Sequence, residues 1–203
     1  MKEKIFCHFN FLKGDEEFIS KFFDDLVSDK KFLYRVYPSR SEYDFVIWTV
    51  KEIENSETIF NFMKTYSECF KNFKGKLESK LILWGYTKPS IYTKGKSIQE
   101  IDLFSERKKY IIIYPFVKTP EWYLLSMDKR QNMMNEHIRI GRKYPEIKQL
   151  LLYSFGIQDQ EFVVVYETED IVNFSELVFD LRGSEARKYT LRDTPIIVGF
   201  LIK

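Results

Sequence analysis

The order of predicted strands and helices occurs twice in this chain, and this repetition restricts its possible folds more than any other feature. Alternating and helical apolar periods predict strand, helix, strand, strand, helix, strand over residues 1–86, and the same order over residues 109–203. Each run has the βαββαβ order of a ferredoxin-like unit. Residues 87–108 lack a sustained period and hold Pro89 and Gly95, so we interpret them as a connector.

Each predicted run contains four strands and two helices. In the first run the strands are predicted at 5–12, 31–38, 43–50 and 77–86, and the helices begin near Asp15 and Ser56. In the second run the strands are predicted at 109–117, 147–155, 161–166 and 195–202, and the helices at 127–143 and 170–182. Two such antiparallel sheets joined side by side give an α+β fold of the dimeric α+β barrel type. We expect the first run to be scaffold and interface, because it lacks a cluster of convergent polar groups.

Charge and hydropathy exclude several classes of protein. The chain has 203 residues, with 32 basic and 30 acidic side chains and a net charge of +2. This balance gives no general attraction to nucleic acid or to a membrane surface. No apolar run reaches the roughly 18 residues of a membrane span, and the first residues turn polar before a signal-peptide core could form. We therefore expect a cytoplasmic protein.

Aromatic residues are unusually abundant: the chain has 19 Phe and 13 Tyr, and 17% of its residues are aromatic. One small core does not easily hide so many rings, which favours a ligand cavity, subunit interfaces or both. The cysteines, Cys7 and Cys69, lack the close spacing of a zinc or redox motif. We predict that both are buried free thiols in a reducing compartment.

The predicted helix 127–143 carries a histidine on its apolar face. Met133, Met134, Ile140 and Gly141 lie three or four residues from His137, which places all five on one side of the helix. A neutral imidazole on such a face is a suitable axial ligand for haem iron, and a glycine one turn further on leaves room for a flat macrocycle. The spacing is equally that of a histidine packed in a core.

Five segments, taken in order and spacing, resemble the chlorite dismutase family, and within it the coproheme decarboxylases more than the true chlorite dismutases. They are YPFVK with Tyr114 and Lys118, EWYLLSMDKR with Trp122, MMNEHIRIGRKY with His137, IKQLLLYSFG with Gln149, and LRGSEARKYT with Arg182 and Glu185. The resemblance is strongest from about residue 109 to residue 200. It implies the same paired ferredoxin-like architecture that the repeated element order predicts.

The resemblance implies a role for each residue of the reaction centre. His137 is the proximal iron ligand, and Glu185 accepts a hydrogen bond from its imidazole. Tyr114 is the tyrosine that forms a radical near a porphyrin propionate, and Lys118 is the lysine that supplies a proton. Taken alone, Glu185 also fits a charge at a helix end, Tyr114 a strand-end aromatic and Lys118 a surface residue.

The remaining predicted site residues surround the macrocycle. Gln149 matches the distal position that is arginine in true chlorite dismutases, and a neutral amide holds an oxyanion less firmly than a guanidinium. Arg182 matches a propionate-binding arginine, whereas Arg187 stands where the decarboxylases have serine. Trp122 fits a residue beside the macrocycle or an ordinary core residue.

The resemblance implies a haem-dependent oxidoreductase of haem biosynthesis that uses hydrogen peroxide to convert coproheme to haem b, so that the porphyrin is both cofactor and substrate. The alternatives are a weak haem peroxidase or chlorite-degrading enzyme, and a haem-binding or structural oligomer without turnover. The resemblance also implies a homo-oligomer, the family often forming pentamers, and the charge balance gives no nucleic-acid partner.

Overall fold

The computed structural model describes residues 4–93 and 99–203, and every predicted strand and helix is present in that part of the chain. Gly95, in the predicted connector, lies outside the described residues. The first half comprises β1 (Ile5–Gly14), α1 (Glu16–Asp25), β2 (Lys30–Arg35), β3 (Phe45–Glu52), α2 (Thr58–Lys71) and β4 (Leu77–Thr87). The second half comprises β5 (Tyr110–Lys118), α3 (Pro120–Leu124), α4 (Met127–Gly141), β6 (Lys148–Tyr153), β7 (Phe162–Thr168), α5 (Ile171–Arg182), a 3-10 helix (Glu185–Tyr189), β8 (Thr190–Arg192) and β9 (Ile197–Leu201).

The strands form a closed antiparallel barrel. Their order is β7-β6-β4-β1-β3-β2-β9-β5, and β5 pairs again with β7, which closes the ring, while β8 pairs with the end of β5. Within each half the order of the four main strands is the same, β4-β1-β3-β2 in the first and β9-β5-β7-β6 in the second. The predicted α+β fold of two joined ferredoxin-like units is therefore confirmed, and the structure adds that the two sheets meet along both edges.

The two seams between the halves are short. Strand β4 pairs with β6 through Tyr86↔Tyr153 and Thr87↔Leu152, and β2 pairs with β9 through an equally short register. At the first seam a Cβ atom on Gly85 would lie 2.7 Å from the Ser154 hydroxyl oxygen, so only glycine allows this approach.

Apolar side chains and the end of the predicted connector fill the barrel. Alternation along the strands sends Phe9 and Ile113 inward, and Ile101 and Leu103 from the connector join the same interior cluster. The connector thus supplies part of the core, a contribution that its irregular sequence does not reveal. Its path alongside β6 is fixed by backbone hydrogen bonds from Gln149 to Gln99 and from Ile101 to Gln149.

A buried ion pair ties the connector to the barrel. Arg107 Nη1 lies 3.4 Å from Glu167 Oε2, and both side chains are almost fully buried, at 4% and 3% exposure. The Tyr34 hydroxyl donates to the same carboxylate at 3.2 Å, and the guanidinium lies over the rings of Phe32 and Trp48 at 4.8 and 5.6 Å. Removing one partner of such a pair would cost about 3–5 kcal/mol of stability, because the other charge would stay buried.

Short elements and one cysteine depart from the sequence predictions. The short helix α3, the 3-10 helix and β8 were not predicted, since segments of three to five residues are too short to show a period. Both cysteines are free, but only Cys7 is buried. The prediction that Cys69 is buried is wrong: it lies near the end of α2 with intermediate exposure.

Candidate functional site

The outer face of the second-half sheet carries three of the predicted site residues. Leu150 and Ile113 point into the barrel, so their neighbours Gln149 and Tyr114 lie on the opposite face, and Lys118 follows Tyr114 at even spacing. Gln149 lies opposite Tyr166 on β7, and Tyr114 lies opposite Val164, two residues further along that strand. Gln149 and Tyr114 are thus two strand spacings apart across the sheet and two residues apart along it, roughly 12 Å in all.

Helix α4 lies along this half of the molecule without burying any of its side chains. Its 15 residues include none that is buried, and it packs principally against α5 and the 3-10 helix. Polar contacts hold it at its edges. The Glu136 carboxylate accepts from the backbone N–H of Glu185 at 2.9 Å, and the Gln99 side chain donates to the carbonyls of Gly141 and Tyr144 at 2.9 Å.

The sheet also has an exposed apolar surface. Leu151, beside Gln149 on the outer face of β6, is 42% exposed, and Phe155 just beyond β6 is 45% exposed. These exposed apolar residues leave an apolar surface on the side of the molecule that carries α4, and we call this surface the candidate cleft. A Cβ atom on Gly141, one turn after His137, would meet no described atom within 4 Å.

His137 is held in its neutral form. The imidazole is half-buried, and this loss of solvent, aided by the positive charge of Lys118 and opposed by Glu136, lowers its pKa to about 4. The ring is therefore unprotonated at neutral pH and can offer a nitrogen lone pair to a metal. Its side chain makes no hydrogen bond to any of the residues in 4–93 and 99–203.

The Glu185 carboxylate binds a different partner from the predicted one. It accepts from Lys188 Nζ at 2.8 Å through each of its oxygens, and its side chain is 58% exposed. The carboxylate whose charge acts on His137 belongs to Glu136, which is also bound to the Glu185 backbone. The proposed contact between Glu185 and the imidazole remains a prediction.

Lys118 lies where β5, α3 and the 3-10 helix meet. Its Nζ donates to the Ala186 carbonyl at 3.4 Å and lies 4.2 Å from the centre of the buried Trp122 ring. Burial, aided by the nearby Arg187 and opposed by Glu161, lowers the pKa of Lys118 to about 8. At this pKa the amine can release its proton near physiological pH.

Tyr114 is paired with a second tyrosine. Its ring stacks on that of Tyr166 with centroids 6.2 Å apart, which brings the two phenols close enough to interact electrostatically. Burial raises the pKa of Tyr114 well above its ordinary value, and Tyr166 adds to the rise, so the phenol stays protonated. Burial also raises the pKa of Tyr166, and its interaction with Tyr114 partly offsets that rise.

The predicted arginines share one acidic partner. Arg182 Nη1 lies 2.8 Å and Arg187 Nη1 lies 2.9 Å from the same oxygen, Oδ2 of Asp193. The group is close to the reaction residues, since Asp193 and Arg182 both shift the pKa of Tyr114 and Arg187 shifts that of Lys118.

The structure thus brings most of the predicted residues to one side of the second half. His137, Lys118 and Trp122 form one group, and Tyr114 joins the two arginines in another, with the Lys118–Arg187 interaction between them. Gln149 stands apart, exposed on β6.

Three residues that contact these groups were not predicted from the sequence. Asp193 pairs with the arginines, Tyr166 pairs with Tyr114, and the Glu161 carboxylate accepts from the Lys118 backbone N–H at 2.7 Å and from the Tyr123 hydroxyl at 2.6 Å. Only the alternation of β7, which places Tyr166 on the same face as Tyr114, could have indicated one of them in advance.

Comparison with known proteins agrees with the resemblance. The family model described as chlorite dismutase matches residues 14–202. The chain therefore belongs to the chlorite dismutase family. A coproheme decarboxylase of Mycolicibacterium smegmatis (strain ATCC 700084 / mc(2)155) is 29% identical over 171 residues, which cover 82% of this chain and 71% of that protein.

Solved structures show the same fold. A crystal structure described as a candidate chlorite dismutase is 27% identical, covers 100% of this chain and 96% of its own, and has a TM-score of 0.79. A mutant chlorite dismutase from Candidatus Nitrospira defluvii has a TM-score of 0.81 at 20% identity, covering 98% of this chain and 91% of its own. At that identity the second likeness concerns the fold alone. None of the helices in 4–93 and 99–203 has the length and hydropathy of a membrane-spanning segment.

Proposed function

We propose that this protein is a haem-dependent oxidoreductase that uses hydrogen peroxide to decarboxylate coproheme to haem b. The observation that carries the proposal is the position of His137, a neutral, half-buried imidazole on α4 near Lys118, on the side of the molecule that carries the exposed apolar residues of β6. The membership of the family and the similarity to a coproheme decarboxylase support it.

The donor set suits an iron that arrives inside a macrocycle. Among the described residues no group of three or more His, Cys, Asp or Glu side chains is placed to hold a metal ion. A single imidazole can hold iron whose other ligands come from a porphyrin, and the apolar lining suits the porphyrin's flat faces. Bound coproheme would supply both the iron that reacts with peroxide and the two propionates, each of which would lose its carboxyl group as carbon dioxide and become a vinyl group.

Tyr114 and Lys118 would carry the proton and electron movements. A phenol can release a proton and an electron together, and the ring of Tyr166 stacks beside that of Tyr114. Lys118, with its pKa lowered to about 8, is suited to donate a proton and to recover it from solvent near neutral pH.

The cationic groups would bind the propionates. Arg182 and Arg187 offer guanidinium N–H groups, which suit carboxylates because two parallel hydrogen bonds can form. Trp122 supports Lys118 with its ring face, a contact between a cation and an aromatic ring. We propose Gln149 as the distal residue and Glu185 as a further partner of His137.

A titration followed by a turnover measurement tests the proposal. The apoprotein is titrated with coproheme and, separately, with haem b while the Soret band is recorded, and peroxide is then added. Loss of two carboxyl groups from coproheme, detected by mass spectrometry, is the expected result. Binding of haem b with peroxidase turnover alone would favour a haem peroxidase, and absence of binding of either porphyrin would favour a structural oligomer and overturn the proposal.

The assembly and location follow the same reasoning. We propose a cytoplasmic homo-oligomer, a pentamer by analogy with the family, in which residues 1–86 act as scaffold and interface and residues 109–203 bind the porphyrin. Large apolar side chains exposed on both halves, such as Phe60 at 63% and Phe179 at 76%, are compatible with subunit contacts. Light scattering on the purified protein checks the subunit number, and a monomer would contradict this part.

A further inference from the structure

A single carboxylate oxygen joins the two arginines beside the cleft. Oδ2 of Asp193 forms ion pairs with Nη1 of Arg182 at 2.8 Å and with Nη1 of Arg187 at 2.9 Å. The three residues come from different elements, since Arg182 ends α5, Arg187 belongs to the 3-10 helix and Asp193 follows β8. The carboxylate therefore holds two guanidinium groups at one point, although their side chains extend from different elements.

The carboxylate lies deeper than the arginines. Asp193 is 17% exposed, whereas the side chains of Arg182 and Arg187 are 39% and 35% exposed. In the part of the chain that the structure describes, the other N–H groups of both guanidiniums have no hydrogen-bond partner in the protein. An inner carboxylate with two outer guanidiniums leaves those N–H groups available to a ligand.

We propose that Asp193 is a positioning residue that holds Arg182 and Arg187 as a preformed cradle for a carboxylate of the porphyrin substrate. This inference rests on the proposed function, because the ligand it names is the propionate of that substrate. Without Asp193 the two guanidiniums would repel each other and separate. With it the cluster keeps a net charge of +1 and a fixed geometry, which lowers the entropy cost of binding a carboxylate.

The alternative is that Asp193 competes with the substrate for the arginines. A competitor would occupy the exposed side of the guanidiniums, where the ligand arrives. The lower exposure of Asp193 places it behind them instead. The two roles predict opposite effects of neutralising Asp193, since loss of a positioning residue weakens binding and loss of a competitor strengthens it.

Binding of metal-free coproporphyrin, followed by its fluorescence, tests the inference without iron ligation. For Asp193→Asn we expect a roughly tenfold loss of affinity, although the variant gains positive charge, because the two ion pairs that position the guanidiniums are lost. Asp193→Glu should recover most of the affinity. Asp180→Asn is the matched control, since Asp180 is a carboxylate on α5 that binds Tyr144 and Lys143 instead. Unchanged or tighter binding by Asp193→Asn would overturn the inference.

A second measurement needs no porphyrin and separates the two proposals. Dicarbonyl labelling of arginine in the apoprotein, read by mass spectrometry, should be several-fold faster at Arg182 and Arg187 in Asp193→Asn than in the wild type. Equal labelling rates would show that Asp193 does not hold the arginines. If labelling is faster in the variant but wild-type protein does not bind coproporphyrin, Asp193 does hold the two arginines. The proposed function would then be refuted, and so would the proposal that the arginines bind a porphyrin carboxylate.

Discussion

The two halves of the barrel share one strand order but fill the space between sheet and helices differently. In the first half, α1 buries Ile19, Phe22 and Phe23 and α2 buries Phe62 and Tyr66 against the sheet. In the second half, α5 buries Phe174 and Leu177, but α4 buries nothing. The same architecture therefore has two helices with fully buried residues in the first half, but only one of its two long helices, α5, has them in the second.

The two histidines show what this difference means for function. His8 is 1% exposed, and burial lowers the pKa of its imidazole to about 3. It lies among aromatic rings, with the centroid of Tyr66 at 4.6 Å and that of Phe62 at 5.5 Å. His137 has a similarly lowered pKa but charged neighbours and an open side. A depressed pKa alone does not identify a ligand; the surroundings do.

Removing each histidine in turn gives the largest predicted contrast. In His137→Ala we expect the iron–imidazole spectrum to disappear and the affinity for iron porphyrin to fall more than about a hundredfold. Mutating a residue that only hydrogen-bonds to a metal ligand already lowers affinity by up to that factor. Added imidazole should restore the spectrum. The matched control, His8→Ala, should keep the wild-type Soret band. A normal spectrum for His137→Ala would contradict the assignment of the ligand.

Truncating one apolar side chain on a helix of each half should reduce the free energy of unfolding by different amounts. Phe22→Ala in the first half is expected to cost about 3–5 kcal/mol of unfolding free energy, because Phe22 is fully buried among other rings. Met134→Ala on α4 is expected to cost less than about 1 kcal/mol, because no residue of α4 is buried. Urea unfolding of the apoproteins measures both. Equal costs would mean that α4 is packed as tightly as α1.

The lowered pKa of Lys118, a residue of the second half, predicts that both turnover and stability depend on pH. Turnover should fall as the pH rises through about 8, where the amine loses its proton. The sign for stability is opposite: since the folded-state pKa is below the ordinary value of 10.5, the buried charge destabilises the protein below about pH 8 and this cost disappears as the pH approaches 10.5.

A variant separates this effect from general alkaline unfolding. Lys118→Met should be more stable than the wild type at pH 7 but not above pH 10.5, as measured by denaturant unfolding at each pH. Lys88→Met, at an exposed lysine near Tyr153, is the control and should show no such dependence. A constant difference between Lys118→Met and wild type across this range would contradict a shifted pKa at Lys118.

The smallest expected effect concerns the exposed side of the cleft. In Gln149→Arg we expect coproheme affinity to change by less than about fivefold, because an added exposed charge contributes at most about 1 kcal/mol. Chlorite consumption, followed by oxygen release, should rise if Gln149 faces the distal side. A large change in affinity would instead place this residue among the main propionate contacts.

Local patterns predicted most of the fold and placed most of the candidate site residues on one side of the molecule. They did not predict which side chains form contacts with one another. The helical spacing around His137 and the alternation of β5 were readable because they depend on near neighbours in sequence. Asp193 was missed because its partners lie in other elements, at Arg182 and Arg187. Glu185 was assigned to His137 by resemblance, whereas the structure shows its carboxylate bound to Lys188.

By itself, the amino-acid sequence determined the element order, the α+β class and the helix face that carries His137, since apolar periodicity is a local property. Tertiary structure alone decided the closure of the barrel and the burial of Arg107 against Glu167. It also decided that α4 has no fully buried residue while α1 and α2 pack buried side chains against the sheet. These features depend on contacts between residues far apart in the chain, where volume and charge must match and no short pattern records the match.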